Sequence, residues 1–292
     1  MFRGTFTALV TPFRDDELDV EAFERLIEAQ IAGGVSGIVP VGTTGESPTL
    51  SHDEKRRVIE LAVKCARGRC QVIAGTGSNS TRDAIGQTKT AEAVSVDGVL
   101  LVAPYYNKPS QEGLFQHFAA IAAATKLPIV LYNIPGRSVV DIGADTVVRL
   151  ANSCENIVAI KEASGSVDRV SELVARVPEG FTVLSGDDSL TLPFLVVGAV
   201  GVVSVASNLY PAEVSQLVRA FLEGKLEEAQ ALHRRFMALF KDLFIEPNPV
   251  PAKTALEWRG AMTSQCRLPL VKMGEATEKR LRKTIEDLEK KQ

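Results

Sequence analysis

The stretch "VTPFRDDELD", Val10–Asp19, follows the first apolar run of the chain, Thr5–Val10, and what it lacks decides the fold. Seven further runs rich in Val, Ile, Leu and Ala read as strands: 37–41, 71–74, 98–103, 128–132, 157–161, 182–184 and 201–205. Segments of helical period separate them. Val20, Phe23, Ile27 and Ile31 mark the first, and Gly33–Gly34 closes it. Ser51 and Glu54 stand at capping-box spacing before the second. Val214, Leu217, Val218, Phe221 and Leu222 share a face of the eighth, with Pro211 at its start and Gly224 past its end. Strands apolar on both faces and alternating with helices imply a parallel sheet covered by helices. An open dinucleotide-binding sheet would want Gly-x-Gly-x-x-Gly directly after its first strand, and Val10–Asp19 contains no glycine at all. Eight units close a barrel instead. The expected fold is therefore α/β, a (β/α)8 TIM barrel over residues 1–224. An all-helical C-terminal extension, 225–292, follows. In it, Ala229, Leu232, Phe236, Leu239, Phe240 and Leu243 form an apolar stripe, "EPNPVP" (Glu246–Pro251) breaks it, and Leu281, Ile285 and Leu288 mark a last helix.

A net charge of −3 without a long single-sign run argues against a nucleic-acid footprint or a polybasic membrane anchor. No apolar run approaches the roughly 18–20 residues that span a bilayer. The opening "MFRGTFTALVTPF" does not read as a secretory signal, so a cytoplasmic protein is expected. Cys65, Cys70, Cys154 and Cys266 form no Cys-x-x-Cys pair and read as free thiols, while His52, His117 and His233 are isolated. No metal site is expected from them.

In such barrels the working groups come from the C-terminal ends of strands. Lys161 ends the sixth apolar run, in "NIVAIKEASG" (Asn156–Gly165). If it points into the barrel, Ala159 does too, and Ile160 and Glu162 face the helices. Desolvation would then favour the neutral amine, the form that attacks a carbonyl. The alternative is a lysine reaching to solvent. "GTTGE" (Gly42–Glu46) offers consecutive amides at Thr43 and Thr44 that suit an anion, or is a plain tight turn. Tyr105 and Tyr106 stand in a loop, and Tyr132 ends the fifth run as a proton-passing phenol or a core plug. Arg137 is a fork suited to a carboxylate or a surface ion pair. In "SGDDS", Asp188 or Ser189 reads as a helix N-cap rather than part of a metal site.

Taken together, "GIVPVGTTGES", "PYYNKPSQEGLFQHF", "LYNIPGR", "VAIKEASG", "LSGDD" and "FIEPNPVPAK" resemble the 4-hydroxy-tetrahydrodipicolinate (dihydrodipicolinate) synthase family, over nearly the whole chain. That family lies among the pyruvate-dependent class I aldolases, with N-acetylneuraminate lyase and the 2-keto-3-deoxy sugar acid aldolases. The resemblance implies that Lys161 forms a Schiff base with pyruvate, and that Thr43, Tyr132 and a neighbouring subunit's Tyr106 relay protons. It further implies that Thr43 and Thr44 amides hold the pyruvate carboxylate and Arg137 that of L-aspartate 4-semialdehyde. Gly186 and Val203 would line the pocket. No metal or organic cofactor is implied, and the assembly implied is a homotetramer, a dimer of dimers. The alternatives are cleavage of a 2-keto-3-deoxy sugar acid, or a barrel that has lost catalysis and serves in binding. An inhibitory lysine pocket would correspond to Ser47, Pro48, His52, Lys55, Asn79, Asp83 and Tyr105. There Lys55 replaces a frequent histidine and Asp83 a longer glutamate, which leads to an expectation of weak inhibition by lysine.

Overall fold

The computed structural model describes residues 2–290. Eight parallel strands close in sequential order: β1 (Gly4–Ala8), β2 (Gly37–Val39), β3 (Gln71–Gly75), β4 (Gly98–Val102), β5 (Ile129–Asn133), β6 (Ile157–Glu162), β7 (Thr182–Ser185) and β8 (Gly201–Ser204). β1 pairs with both β2 and β8, so the cylinder has no edge. The strand ends differ from the sequence expectation by one or two residues, as turns at both ends of a short strand allow.

Alternation along the strands builds two layers. Phe6, Ala8, Val39, Ile73, Leu100, Val130, Ala159, Leu184 and Val203 fill the barrel. Ile38, Val72, Val99, Leu101, Ile129, Leu131, Ile160, Val183 and Val202 pack outward against the helices. One irregularity sits in this pattern. Ile129 pairs with Ile157, but Val130 pairs with Ala159, so Val158 is an extra residue in β6. This bulge puts two successive residues, Val158 and Ala159, on the inner side. Beyond it Tyr132 lies beside Lys161, and Asn133 beside Glu162.

The helices start and stop where the side chains indicated. Asp19 caps Val20–Ala32, and Ser51 and Glu54 form the full capping box of His52–Ala66. Pro211 opens Pro211–Leu222. One element was not foreseen. "VTPFRDDELD" folds into a ribbon of Phe13–Arg14 against Glu17–Leu18, turning at Asp15 and Asp16, both with positive φ. Two successive positive φ values are what a tight hairpin needs, and aspartate tolerates them better than most residues. The segment beyond Gly224 forms helices Leu226–Asp242, Val250–Trp258 and Glu275–Glu289. "EPNPVP" breaks the first as expected, yet its end already opens the second. Phe236, Leu239, Phe240, Leu281, Ile285 and Leu288 join the same apolar layer as the barrel helices.

The outward end of β6 is anchored by charge. Glu162 is fully buried and accepts from Asn133 Nδ2 at 3.1 and 3.2 Å, from the Ser164 amide at 2.8 Å and from Arg169 Nε at 2.8 Å. Removing one partner of a buried pair strands the other charge, at about 3–5 kcal/mol. Arg169→Met is therefore expected to lower unfolding stability by that amount in guanidinium titration. Lys225→Met, which loses only an exposed pair with Glu223, should leave the midpoint unmoved.

Candidate active site

The candidate nucleophile is delivered by register. Lys161 lies on the inner face at the end of β6, 6% exposed, with its Nζ 4.0 Å from the centre of the Tyr132 ring. Glu162, its neighbour in sequence, points the other way into the cluster with Arg169. Burial pushes the Lys161 ammonium down to about 7, with Asp188 opposing and Arg137 assisting. Space for the amine depends on Gly186 after β7. A Cβ there would stand 3.2 Å from Lys161 Cε and 2.7 Å from Ala163 Cβ.

Tyr132 is 5% exposed, and burial raises its phenol to about 12 against the pull of Arg137 and of a hydrogen bond shared with Thr43. The phenol therefore keeps its proton at neutral pH and can hand it on only as another arrives. Thr43 belongs to the turn after β2. Among the described residues, neither the Thr43 nor the Thr44 N–H has a hydrogen-bond partner within the protein, although Thr44 is 3% exposed. Two adjacent amides left free in this way suit a carboxylate. The Gly186 amide, by contrast, donates to Glu162 O at 2.8 Å, which leaves its carbonyl for a ligand. Val203 is buried in the barrel wall on β8.

Above these groups a cleft of about 230 Å³ runs from Thr43, Tyr132 and Arg137 to Ser47, Pro48, Lys55, Asp83 and Tyr105. Lys161 does not line it; Tyr132, against whose ring the amine rests, does. A neighbouring groove of about 240 Å³ holds His52 with Lys55 and Asp83. His52 Nε2 stands 3.6 Å from Asp83 Oδ1. Burial lowers the Lys55 ammonium, with Asp83 opposing. Asn79 offers its backbone carbonyl to Asn107 Nδ2 at 2.8 Å and lines neither space. Thus Lys161, Tyr132, Thr43, Arg137 and Gly186 converge, while Thr44, next in the turn after Thr43, does not line the cleft. Tyr106 does not: it is 89% exposed, in a loop residue of φ +72°.

One expectation is corrected. Asp188 is not a helix N-cap. Asp187 takes that role, accepting from the Ser189 amide at 2.8 Å. Asp188 is buried and accepts from the amides of Val205 and Ala206 at 2.9 and 3.1 Å and from Ser204 Oγ. It ties the end of β8 to the loop after β7 and supplies the negative charge nearest in effect to Lys161. A second acidic residue beside a first was the only signal in the sequence. Among the described residues no group of three or more His, Cys, Asp or Glu could hold a metal ion.

This geometry has close counterparts. A synthase named 4-hydroxy-tetrahydrodipicolinate synthase from Sorangium cellulosum is 54% identical over 98% of this chain and 96% of its own length. The structure of a protein of the same name from Methylacidiphilum fumariolicum SolV matches with a TM-score of 0.99 and 57% identity, covering 100% of this chain and 97% of that one. The chloride-inhibited dihydrodipicolinate synthase of Acinetobacter baumannii, crystallised with pyruvate, matches with a TM-score of 0.97 and 42% identity over 99% of both chains. The sequence model of the dihydrodipicolinate synthetase family matches residues 1–288, and the chain belongs to that family.

Proposed function

We propose that the protein condenses pyruvate with L-aspartate 4-semialdehyde through a Schiff base on Lys161. The product is 4-hydroxy-tetrahydrodipicolinate, a precursor in lysine and diaminopimelate biosynthesis. The observation that carries this reading is the buried Lys161 amine set against the Tyr132 ring, with the Thr43 hydroxyl beyond it. The neutral amine attacks the ketone carbon of pyruvate, and loss of water leaves an imine. The imine draws electrons from the methyl group, which gives up a proton and becomes an enamine. Its carbon attacks the aldehyde, whose oxygen takes a proton. The amino group of the incoming chain then displaces Lys161 and closes the ring. Tyr132 and Thr43 move the protons, and the free Thr43 and Thr44 amides hold the pyruvate carboxylate. Arg137, exposed at the cleft mouth, meets the second carboxylate. Gly186 and Val203 shape the pocket.

This chemistry runs on side chains alone, without metal or organic cofactor. The reading places the protein in the cytoplasm; no helix among the described residues is long and apolar enough to cross a membrane. The division at residue 224 separates the catalytic barrel, 1–224, from a helical segment, 225–292, that braces it. Tyr106, almost fully exposed, is taken to complete the relay of a neighbouring subunit in a homotetramer. Ultracentrifugation should show the tetramer, and full activity of a lone monomer would remove that role from Tyr106.

The test of the reaction is borohydride reduction with pyruvate, followed by intact mass. One pyruvate adduct is expected, absent in Lys161→Ala. Because the depressed amine is charged below about 7 and neutral above it, the trapping rate should rise with pH through that value and then level. Trapping with consumption of a short sugar aldehyde, and not of the semialdehyde, would favour the 2-keto-3-deoxy acid reading.

Ser47, Pro48, Lys55, Asp83 and Tyr105 line the outer part of the cleft, beside His52 and near Asn79. A lysine ligand there would bring its ammonium toward that of Lys55, a repulsion of about 1–4 kcal/mol near 4 Å. Weak or absent inhibition is expected. Strong inhibition by sub-millimolar lysine in a steady-state assay would refute it, and Lys55→His should strengthen inhibition.

A further inference from the structure

The turn that offers the two free amides is not at rest. It is bracketed by non-glycine residues in the left-handed region, Val41 at φ +59° and Glu46 at φ +55°. A β-branched residue there is a genuine outlier, and such a conformation persists only where the surroundings impose it. Local hydrogen bonds account for part of this. Gly45 and Ser47 amides donate to Gly42 O, Glu46 N to Thr43 O, and Thr11 Oγ1 to Gly45 O at 2.7 Å.

The remaining restraints come from some two hundred residues away, in the segment after the barrel. Asn248 Nδ2 donates to Thr44 Oγ1 at 2.9 Å. Lys253 Nζ meets Glu46 Oε1 at 2.6 Å, with both side chains at 0% exposure. The Arg267 amide donates to Glu46 Oε2 at 2.9 Å, and Lys253 Nζ also donates to Gln265 O at 2.5 Å. Lys253 Nζ lies 4.4 Å from the centre of the Phe13 ring. Both oxygens of Glu46 are answered, only Asn248 Oδ1 among the buried side-chain atoms named here lacks a partner, and Glu46 adjoins the cradle it would steady.

We propose that the buried Glu46–Lys253 pair is a positioning device for substrate carboxylate. It holds the strained turn so that the Thr43 and Thr44 amides converge, without either residue touching substrate. The proposal rests on the Schiff-base reading and deepens it.

The test compares two carbonyl compounds on the full-length enzyme, pyruvate and the neutral pyruvamide, by borohydride trapping on Lys161. In Glu46→Gln and Lys253→Met, the pyruvate concentration giving half-maximal trapping should rise at least tenfold. The maximal trapping rate and the pyruvamide response should stay within about twofold of the parent. A general loosening of the fold would depress both compounds alike. If the single variants fail to fold, the double variant Glu46→Gln/Lys253→Met, which leaves no lone buried charge, carries the same expectation. Glu46→Asp, keeping charge with a shorter reach, should fall between parent and Glu46→Gln. Unchanged pyruvate half-saturation in a folded variant, or equal losses for both compounds, overturns the positioning role. Absence of pyruvate trapping in the parent enzyme would instead overturn the Schiff-base reading.

Discussion

One extra residue in a sheet orders the chemistry. Without the bulge at Val158, Val130 would pair with Val158, and Tyr132 with Ile160, an outward-facing residue. A one-residue slip turns every following side chain to the opposite face. The amine would then stand among the helices, and Glu162 would enter the barrel without its arginine. Because the slip is present, ring and amine meet at 4.0 Å and Glu162 finds Asn133 and Arg169. The ion cluster outside and the amine inside are consequences of one register, and each makes the other register costly. The Glu162 side-chain cluster therefore serves the site from outside the barrel, while the Glu162 carbonyl accepts from the Gly186 amide.

Several effects compete at Lys161. The Asp188 carboxylate and the face of the Tyr132 ring favour the ammonium, while burial and the Arg137 guanidinium favour the neutral amine. Burial wins, but the opposition matters. An amine with no anion nearby would be neutral yet poorly able to support the positive charge that an iminium carries. Burial raises the Asp188 carboxyl, while Ser204 Oγ and the amides of Ala206 and Val205 oppose that rise and favour its carboxylate, which lies in range of Lys161 without pairing directly with it. The same burial that frees the amine holds the proton on Tyr132, so the proposed nucleophile and the proposed proton carrier are both neutral at one pH.

The barrel was legible because its strands are apolar on both faces and several helices carry their own caps, at Asp19, Ser51, Ser80, Ser110 and Ser166, so local sequence and global fold agree. Lys161, Tyr132 and Arg137 were legible because they stand where apolar runs end. What escaped was long-range. Nothing near Asp188 announces that its partners are Ser204, Val205 and Ala206, and the cap expected at Asp188 or Ser189 falls instead on Asp187. The bulge at Val158 is silent too, since an all-apolar strand reads the same in either register. The Asp15–Asp16 hairpin was hidden by a span of only six residues, too short for alternation to show.

The segment after the barrel shows how distance in sequence conceals a local role. Read alone, its stripes give helices and its prolines give breaks, which suggests an appendage. Its buried polar side chains say otherwise. Lysine and asparagine are seldom buried unless paired. Lys253 and Asn248 are buried at 0% and 5%, and both donate to the turn between Thr44 and Glu46. That turn continues into the short helix Ser47–Thr49, whose first residues line the outer cleft. The free amides of Thr43 and Thr44 and the walls of the outer cleft are thus parts of one strained stretch of backbone, held from behind by the same knot. A ligand that shifted Ser47 or Pro48 would work against that knot before it reached Thr43.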